Sequence, residues 1–219
     1  MGNVVAIDGP GGAGKSTIAK LLAKKLNYLH LDTGAMYRAV TLAALNNNID
    51  FSDKDKLVEL AQSIDITFDK KGEIYLNGKN VSEKIRTAAV NNYVSQTAAV
   101  KGVRKVLVKK QQQLAQNNKV VMDGRDIATV VLPEAAHKFF LTASLEERAR
   151  RRYQEVRSKK KKADFEEIKN SIARRDKLDS ERKHSPLKKA EDAVLVDTTD
   201  LSIDQVLDHM IAIIEGESQ

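Results

Sequence analysis

Short apolar runs alternate with helical patterns along most of the chain. The first run, Val4 to Asp8, is β-branched and apolar, which is typical of a strand buried on both faces of a parallel sheet. Similar runs predict further strands at residues 28–31, 120–123, 138–141 and 193–197. Helical periodicity separates these runs, as in Lys15 to Leu26, where four apolar residues share one face. The pattern predicts an α/β fold with three layers (α/β/α) around a parallel sheet of about five strands.

One interval is too long to be a simple connection between strands. About 90 residues separate the second and third predicted strands, whereas a crossover helix with its loops needs about a dozen. Alternating residues at 64–68 and 73–76, with Asn77-Gly78 as a following turn, predict antiparallel strands. Two helical patterns, at 90–99 and 103–115, return the chain to the sheet. We therefore expect one domain over residues 1–219 with a β-containing insertion at 33–118.

Composition excludes several classes of protein. Hydrophobic residues make up 42% of the 219 residues, enough for a sizeable core. No run approaches 18 apolar residues, and the N-terminal residues lack the pattern of a signal peptide. Since the chain has no cysteine, it has neither disulfides nor a cysteine zinc site. We expect a cytoplasmic protein without a membrane partner.

The net charge of +7 is concentrated in one segment. Between Arg148 and Lys162 lie nine basic residues and the single acid Glu155, so the rest of the chain is nearly neutral. The first part of this segment has helical periodicity, and Lys159 to Lys162 then interrupt it. The pattern predicts a short basic lid at residues 148–163 that closes over an anion. The alternative is a solvated basic helix end without a ligand.

A phosphate-binding motif follows the first predicted strand. Residues 9–16 read Gly-Pro-Gly-Gly-Ala-Gly-Lys-Ser and match G-x-x-x-x-G-K-[ST] in full. In such a loop the backbone N–H groups and the helix N-terminus point at a polyphosphate. Lys15 would reach the β- and γ-phosphates, and the Ser16 hydroxyl would ligate Mg²⁺. The predicted donor-binding residues in the loop are Gly9, Gly11, Gly12, Ala13, Gly14, Lys15, Ser16 and Thr17.

Further polar side chains follow other predicted strands, at the sheet edge where α/β proteins bind ligands. Asp123 ends the third strand and would be a magnesium-associated acid or, alternatively, a capping carboxylate. Arg38 follows the second strand and is placed either to grip a phosphate or to lie on the surface. On the helix after residue 164, Arg175, Asp179 and Arg182 share the apolar face. These three predict a polar ligand, and surface ion pairs are the alternative.

Together these segments resemble the bacterial cytidylate (CMP/dCMP) kinases, which are phosphate-loop (P-loop) nucleoside monophosphate kinases. The resemblance rests on residues 9–17, on the run Leu-Asp-Thr-Gly-Ala-Met-Tyr-Arg at 31–38, on Met-Asp-Gly-Arg-Asp at 122–126, and on the helix with Arg175, Asp179 and Arg182. The motifs stand in the family's order, and the enlarged insertion is also a feature of that family.

The resemblance implies phosphoryl transfer from ATP to CMP or dCMP with Mg²⁺, in a monomer that binds no nucleic acid. It assigns the acceptor phosphate to Arg38, Arg125 and Arg182, the ribose to Arg175 and Asp179, and the cytosine base to Asp126, Ser95 and Arg104. Thr33 and Tyr37 complete the acceptor site. The expected catalytic residues are Lys15, Asp123, Arg125, Arg151 and Arg152, with Arg148 on the donor and Ser16 and Asp123 at the metal. Arg148, Arg151 and Arg152 share one flank of their helix and are expected to converge on one polyphosphate.

Other functions were weighed against this one. A nucleic-acid-dependent ATPase would need stacking aromatics, but the basic segment holds only Tyr153 and the chain has no Trp. A GTPase would need N-K-x-D, whereas Asn118-Lys119 is followed by two valines. A phosphate-loop kinase for another nucleoside monophosphate or small acceptor stays open. ATP rather than GTP as donor rests on the resemblance alone.

Overall fold

The computed structural model describes residues 4–158 and 162–216, which form a parallel sheet flanked by helices and a second, smaller sheet. The strands within these residues are, in chain order, β1 (Val4–Asp8), β2 (Leu29–Asp32), β3 (Ile66–Phe68), β4 (Ile74–Leu76), β5 (Lys79–Asn80), β6 (Val120–Asp123), β7 (His137–Thr142) and β8 (Val194–Asp197).

The main sheet has the order β2-β6-β1-β7-β8, and every pair in it is parallel. All residues of β1 and β6 are buried, which explains why their sequences are continuous apolar runs. β1 lies at the centre, with Ile7 opposite Asp123 of β6. The carboxyl ends of all five strands therefore share one edge. The predicted five-stranded parallel α/β fold is confirmed.

Helices cover both faces of this sheet. The α-helices are α1 (Lys15–Leu26), α2 (Thr33–Asn46), α3 (Lys54–Ser63), α4 (Ala88–Ala99), α5 (Lys101–Gln116), α6 (Leu145–Ser158), α7 (Phe165–Glu181) and α8 (Ile203–Glu215). On one face, Leu22 of α1 and Met210 of α8 pack in the same core as Ile7 and Phe139. The core on the other face includes Met122 and Ala115 of α5. Burial of these apolar residues is the main favourable contribution to folding.

A third core is formed by the elements that follow β2 and precede β6 in the sequence. It joins α2, α3, α4 and α5 to the antiparallel sheet β3-β4-β5, and its fully buried members include Met36, Leu57, Ile74 and Leu107. These elements occupy the interval in which the sequence predicts an insertion. Helix α5 packs so closely on α3 at Gly102 that an added Cβ would lie only 2.4 Å from Val58 Cγ2.

One predicted helix ends earlier than expected. Helix α7 stops at Glu181, and Arg182 has extended backbone angles (φ −62°, ψ 139°), so the prediction that Arg182 continues the helical stripe is wrong. The chain turns at Ser185, which has a positive φ of 51° and precedes Pro186. Proline disfavours the helical conformation for the residue before it, so a helix usually ends at or before that residue.

Within the part of the chain that the structure describes, no helix is long and apolar enough to cross a bilayer.

Candidate functional site

The loop between β1 and α1 is built on glycines that no other residue could replace without strain. Gly9, Gly12 and Gly14 have φ of 145°, 82° and 86°. A Cβ on Gly9 would lie 1.9 Å from the carbonyl oxygen of Leu141. The buried Lys15 folds back over the loop, and its Nζ donates to the carbonyl of Pro10 at 2.6 Å. The loop thus has the geometry of a phosphate-binding loop, and Lys15 Nζ lies against it.

Asp123 links three elements next to this loop. Ser16 Oγ donates to Asp123 Oδ2 at 2.8 Å, and His30 Nε2 lies 2.8 Å from Oδ1. Thr33 Oγ1 donates to the backbone carbonyl of Asp123 at 2.8 Å. The Asp123 side chain therefore has one partner on α1 and another on β2. The Ser16 hydroxyl and the carboxylate are hard oxygen ligands of the kind Mg²⁺ prefers, so this pair fits a magnesium site.

Burial and hydrogen bonding have opposite effects on the pKa values of Asp123 and His30. Burial acts to raise the pKa of Asp123, but the hydrogen bond and charge of His30, with the Ser16 bond, outweigh it and lower that pKa. Burial acts to lower the pKa of His30, and the Asp123 hydrogen bond and charge outweigh it and raise that pKa. Each partner therefore favours the charged form of the other.

Two of the three predicted acceptor-phosphate residues, Arg38 and Arg125, form a cluster of cations with Arg175, the predicted ribose contact. The third, Arg182, lies at Asp126 instead. Arg125 Nε donates to Asp179 Oδ2 at 2.9 Å, and Arg175 Nε lies 3.9 Å from the same oxygen. A Cβ on Gly11 would lie 3.6 Å from Arg125 Nη2, so Arg125 stands against the phosphate loop. On α2, Arg38 donates to the Asn91 side chain and, at 3.4 Å, to the Ile85 carbonyl.

The electrostatics of this cluster are those of an anion site. Burial lowers the pKa of Arg38 to about 9, with Arg175 as the next cause. Burial, followed by repulsion from Arg125, lowers the pKa values of both Arg175 and Lys15. These groups are cationic and desolvated, and they repel one another. A bound anion would relieve that repulsion.

Of the predicted base contacts, Arg104 and Asp126 are buried and paired with each other. Arg104 donates to Asp126 Oδ2, and Arg182 Nη2 lies 3.6 Å from Oδ1. The Arg104 guanidinium stands 5.4 Å from the centroid of the Tyr37 ring and donates to the Ala98 carbonyl at 3.2 Å. Ser95 lies on α4, nearly one turn before Ala98. Among the described residues, the buried Nε of Arg104 and Nη2 of Arg182 have no hydrogen-bond partner.

The lid arginines separate into two groups. Arg148 donates to the carbonyls of Ala143 and Gly11 at 2.9 and 3.0 Å, and also to Asp176. Arg151 Nη1 donates to Thr198 Oγ1 at 3.0 Å, and a Cβ on Gly14 would lie 3.8 Å from the same nitrogen. Both arginines therefore border the phosphate loop.

The expected convergence of three arginines on one point is absent from this structure. Arg152 is half-exposed and donates to Glu155 at 2.5 Å. It lies one helical turn beyond Arg148, which carries it about 6 Å away along α6. Of the predicted lid, Lys159 to Lys161 lie outside the described residues, and Lys162 is exposed.

Sequence reasoning missed several residues of the site. Asp176 accepts from Arg148 and, through Oδ1, from the Gly11 amide at 3.3 Å, so it ties α6 and α7 to the phosphate loop. The rule that parallel strands end at one sheet edge, applied to every strand, would have found two others, Asp8 and Thr198, but not His30, which lies inside β2. Besides Asp176 and Asn91, the missed residues are Asp8 at the end of β1, His30 on β2 and Thr198 after β8.

A phosphate loop after the central strand of a parallel sheet, faced by buried arginines, defines the class of phosphate-loop kinases. Solved structures agree on the fold. A shikimate kinase from Bacteroides thetaiotaomicron, 15% identical, superposes with a TM-score of 0.51 over 97% of this chain and 98% of that one. An uncharacterized protein from Eubacterium ventriosum ATCC 27560, 14% identical, gives 0.54 over 99% of both chains.

Sequence comparison is more specific than the fold. The cytidylate kinase family model matches residues 5–216. A protein of Bacillus subtilis (strain 168) named cytidylate kinase is 52% identical over 98% of this chain and 97% of its own length. One from Bacillus cytotoxicus, with the same name, is 54% identical over 98% and 97%. The chain belongs to the cytidylate kinase family, as the resemblance of its motifs predicts.

Proposed function

We propose that the protein transfers the terminal phosphoryl group of ATP to CMP or dCMP and releases ADP with CDP or dCDP. The observation that carries this proposal is the position of the desolvated arginines. Arg38, Arg125 and Arg175 are desolvated and close enough for their charges to interact, and Arg125 and Arg175 also act on Lys15, which would meet the donor phosphates. Such an arrangement holds two polyanions that would otherwise repel each other.

The reaction needs positioning more than proton transfer. A phosphate oxygen of CMP is already ionised at neutral pH, and it attacks the γ-phosphorus in line while the bond to the β-γ bridging oxygen breaks. Lys15 holds the donor phosphates, and Arg38 with Arg125 and Arg182 holds the acceptor phosphate. Arg175 and Asp179 hold the ribose, and Thr33 and Tyr37 complete the acceptor site.

Ser16 and Asp123 are the residues that would hold magnesium. When bound, Mg²⁺ neutralises charge on the donor phosphates. No group of three or more His, Cys, Asp or Glu side chains with the arrangement of a metal site exists among the described residues. That finding agrees with a cation that takes most of its ligands from phosphates and water.

Base recognition falls to Asp126, with Ser95 and Arg104. The exocyclic amino group of cytosine donates a hydrogen bond, whereas uracil presents a carbonyl at the same place. A buried carboxylate therefore favours cytosine. Arg148, Arg151 and Arg152 belong to the lid, whose closure excludes water and suppresses ATP hydrolysis. A monomeric state and a cytoplasmic location stay predictions of the sequence.

A panel assay tests the proposal. The protein is incubated with Mg²⁺, ATP and each of CMP, dCMP, UMP, AMP and GMP, and the diphosphates and ADP are quantified. CMP and dCMP should be the preferred acceptors. Preference for a purine monophosphate, or ADP formation without any acceptor product, would contradict the proposal.

The matched variant for this assay is Lys15→Met. It should abolish turnover, because the loop lysine serves the donor phosphates, while calorimetry shows nearly unchanged CMP binding on a folded protein. Near-normal turnover in this variant would show that the phosphate loop does not serve the reaction.

A further inference from the structure

The segment that carries Arg125 and Asp126 continues into a single π-helical turn, Ile127–Val131. The first N–H groups of a helical turn have no acceptor within the turn, and the side chain of the N-cap residue usually accepts from them. Here Asp126 occupies the N-cap position but makes no capping bond with its side chain. Its carboxylate instead faces Arg104 and Arg182.

Asp8, from a different strand, supplies the missing cap. Its Oδ1 accepts from the Ile127 amide and its Oδ2 from the Ala128 amide, both at 2.8 Å. Asp8 is only 1% exposed. Both oxygens thus accept from backbone N–H groups and are shielded from solvent, so this carboxylate serves the backbone at residues 127 and 128.

The same segment is clamped at two further points. The Gly124 amide donates to the Ile7 carbonyl at 3.0 Å. A Cβ on Gly124 would lie 2.5 Å from Thr33 Oγ1, so the backbone passes close to α2. Because Asp8 directly precedes Gly9, one end of this clamp is the start of the phosphate loop.

We propose that Asp8 is a positioning residue for acceptor-base recognition, which caps residues 127–131 in place of Asp126 and so frees the Asp126 carboxylate for the cytosine amino group. This inference rests on the proposed function of Asp126 as the base reader. The cap also fixes the base-reading segment to the strand from which the phosphate loop starts.

The ionisation of Asp8 gives the inference a second readout. The pKa of Asp8 is raised to about 6, first by burial and then by the charge of Asp126, against the two amide hydrogen bonds and the charge of Lys15. On the flanking strands, Phe140 of β7 pairs with Asp8 and Asp123 of β6 pairs with Ile7. Above pH 6 the carboxylate accepts from both amides. Below it, one oxygen carries a proton and becomes a poorer acceptor, so its hydrogen bond from one amide weakens.

The test uses Asp8→Asn, which has nearly the same shape but keeps only one acceptor oxygen. The ratio of kcat/KM for CMP to that for UMP should fall about five- to tenfold, the effect of one lost buried hydrogen bond. The change should lie mainly in the KM for CMP rather than in kcat. Asp53→Asn, at the exposed N-cap of α3, is the matched control and should leave the ratio unchanged.

The unmodified protein provides the second arm. Its CMP-to-UMP ratio should fall as the pH is lowered through about 6, whereas the ratio of Asp8→Asn should stay flat. Ionisation of the substrate phosphate does not enter, because CMP and UMP share it and it cancels in the ratio.

The outcomes separate this inference from the proposed function. If Asp126→Ala loses the preference for CMP but a folded Asp8→Asn keeps it, the inference is overturned and the base reader stands. If Asp126→Ala keeps the preference, the base assignment fails and the inference with it. Should Asp8→Asn not fold, a flat pH profile of the unmodified protein overturns the inference and a falling one supports it.

Discussion

At the scale of single residues, the site contains four arginines that share only two carboxylates as ion-pair partners among the residues described. The Asp126 carboxylate faces Arg104 and Arg182, and Asp179 serves Arg125 and Arg175. Three of these four arginines, Arg104, Arg175 and Arg182, keep a buried nitrogen without a hydrogen-bond partner in the described part of the chain. Unsatisfied buried donors cost stability, so a ligand that accepts from them is bound by groups already in place.

Because base and phosphate contacts are made by different residues, substitutions at Asp126 and at Arg38 should have different effects on substrate preference. Asp126→Ala should lower the CMP-to-UMP ratio of kcat/KM by about 5- to 150-fold, mostly by weakening CMP, since one set of base contacts is worth roughly 1 to 3 kcal/mol. Arg38→Ala should weaken CMP and UMP alike, because the phosphate carries no base information. Steady-state kinetics with both acceptors measures both effects. An unchanged ratio for Asp126→Ala, or an equal shift for Arg38→Ala, would show that the contacts are misassigned.

Because Asp126 is 4% exposed and paired with arginines, its removal also leaves buried charge uncompensated. Urea unfolding of Asp126→Ala and Asp126→Asn therefore accompanies the kinetics. The asparagine variant keeps an acceptor for Arg104 and separates loss of recognition from loss of stability.

At the scale of elements, helix packing places the two halves of the site. Asp176 on α7 joins Arg148 of α6 to the Gly11 backbone, so two helices and the phosphate loop meet at one carboxylate. On the other side, α5 carries Arg104 and packs on α3 through the contact of Gly102 with Val58. The position of Arg104 therefore depends on a contact that only glycine permits.

Gly102→Ala should lower the free energy of unfolding by about 1 to 2 kcal/mol, because the added methyl overlaps Val58 Cγ2 and overpacking outweighs the better helix propensity. In the Val58→Ala background the overlap disappears, and the same substitution should raise stability by up to about 1 kcal/mol. Urea unfolding of the four proteins in this cycle measures the reversal. Equal effects in both backgrounds would contradict a steric origin.

At the scale of the whole molecule, charge is distributed unevenly. The chain carries +7, and the segment from Arg148 to Lys162 accounts for all of the excess. A concentrated positive field raises the association rate of anions and is screened by salt within about 10 Å at 0.1 M.

Replacing Lys159 to Lys162 with Ser should slow nucleotide association about tenfold at low salt and flatten its salt dependence, since these lysines would steer the anion. The melting temperature should hardly change. Stopped-flow binding over a salt series measures the effect. A control that changes four exposed lysines elsewhere, Lys24, Lys54, Lys105 and Lys109, to Gln removes the same charge and should leave most of the salt dependence. Unfolding of the lysine variant, or loss of a tight RNA complex formed by the parent, would contradict the lid.

Much of the architecture follows from the sequence alone. The buried strands, the phosphate loop and the helix after it are local patterns, in which side-chain periodicity and glycine positions act over a few residues. The rule that parallel strands end at one edge also brought Asp123, Arg125 and Arg38 to the same site. The family assignment followed from the order of these motifs.

Only the tertiary structure decided which distant groups meet. The caps and ion pairs Asp8 with Ile127, His30 with Asp123, and Asp176 with Arg148 join residues far apart in sequence. No periodicity encodes such a partner, because it depends on strand order and on how far each helix extends past the sheet edge. The same reason explains Arg152, which shares a flank with Arg148 yet is half-exposed and paired with Glu155, and Arg182, which reaches Asp126 from outside the helix assigned to it.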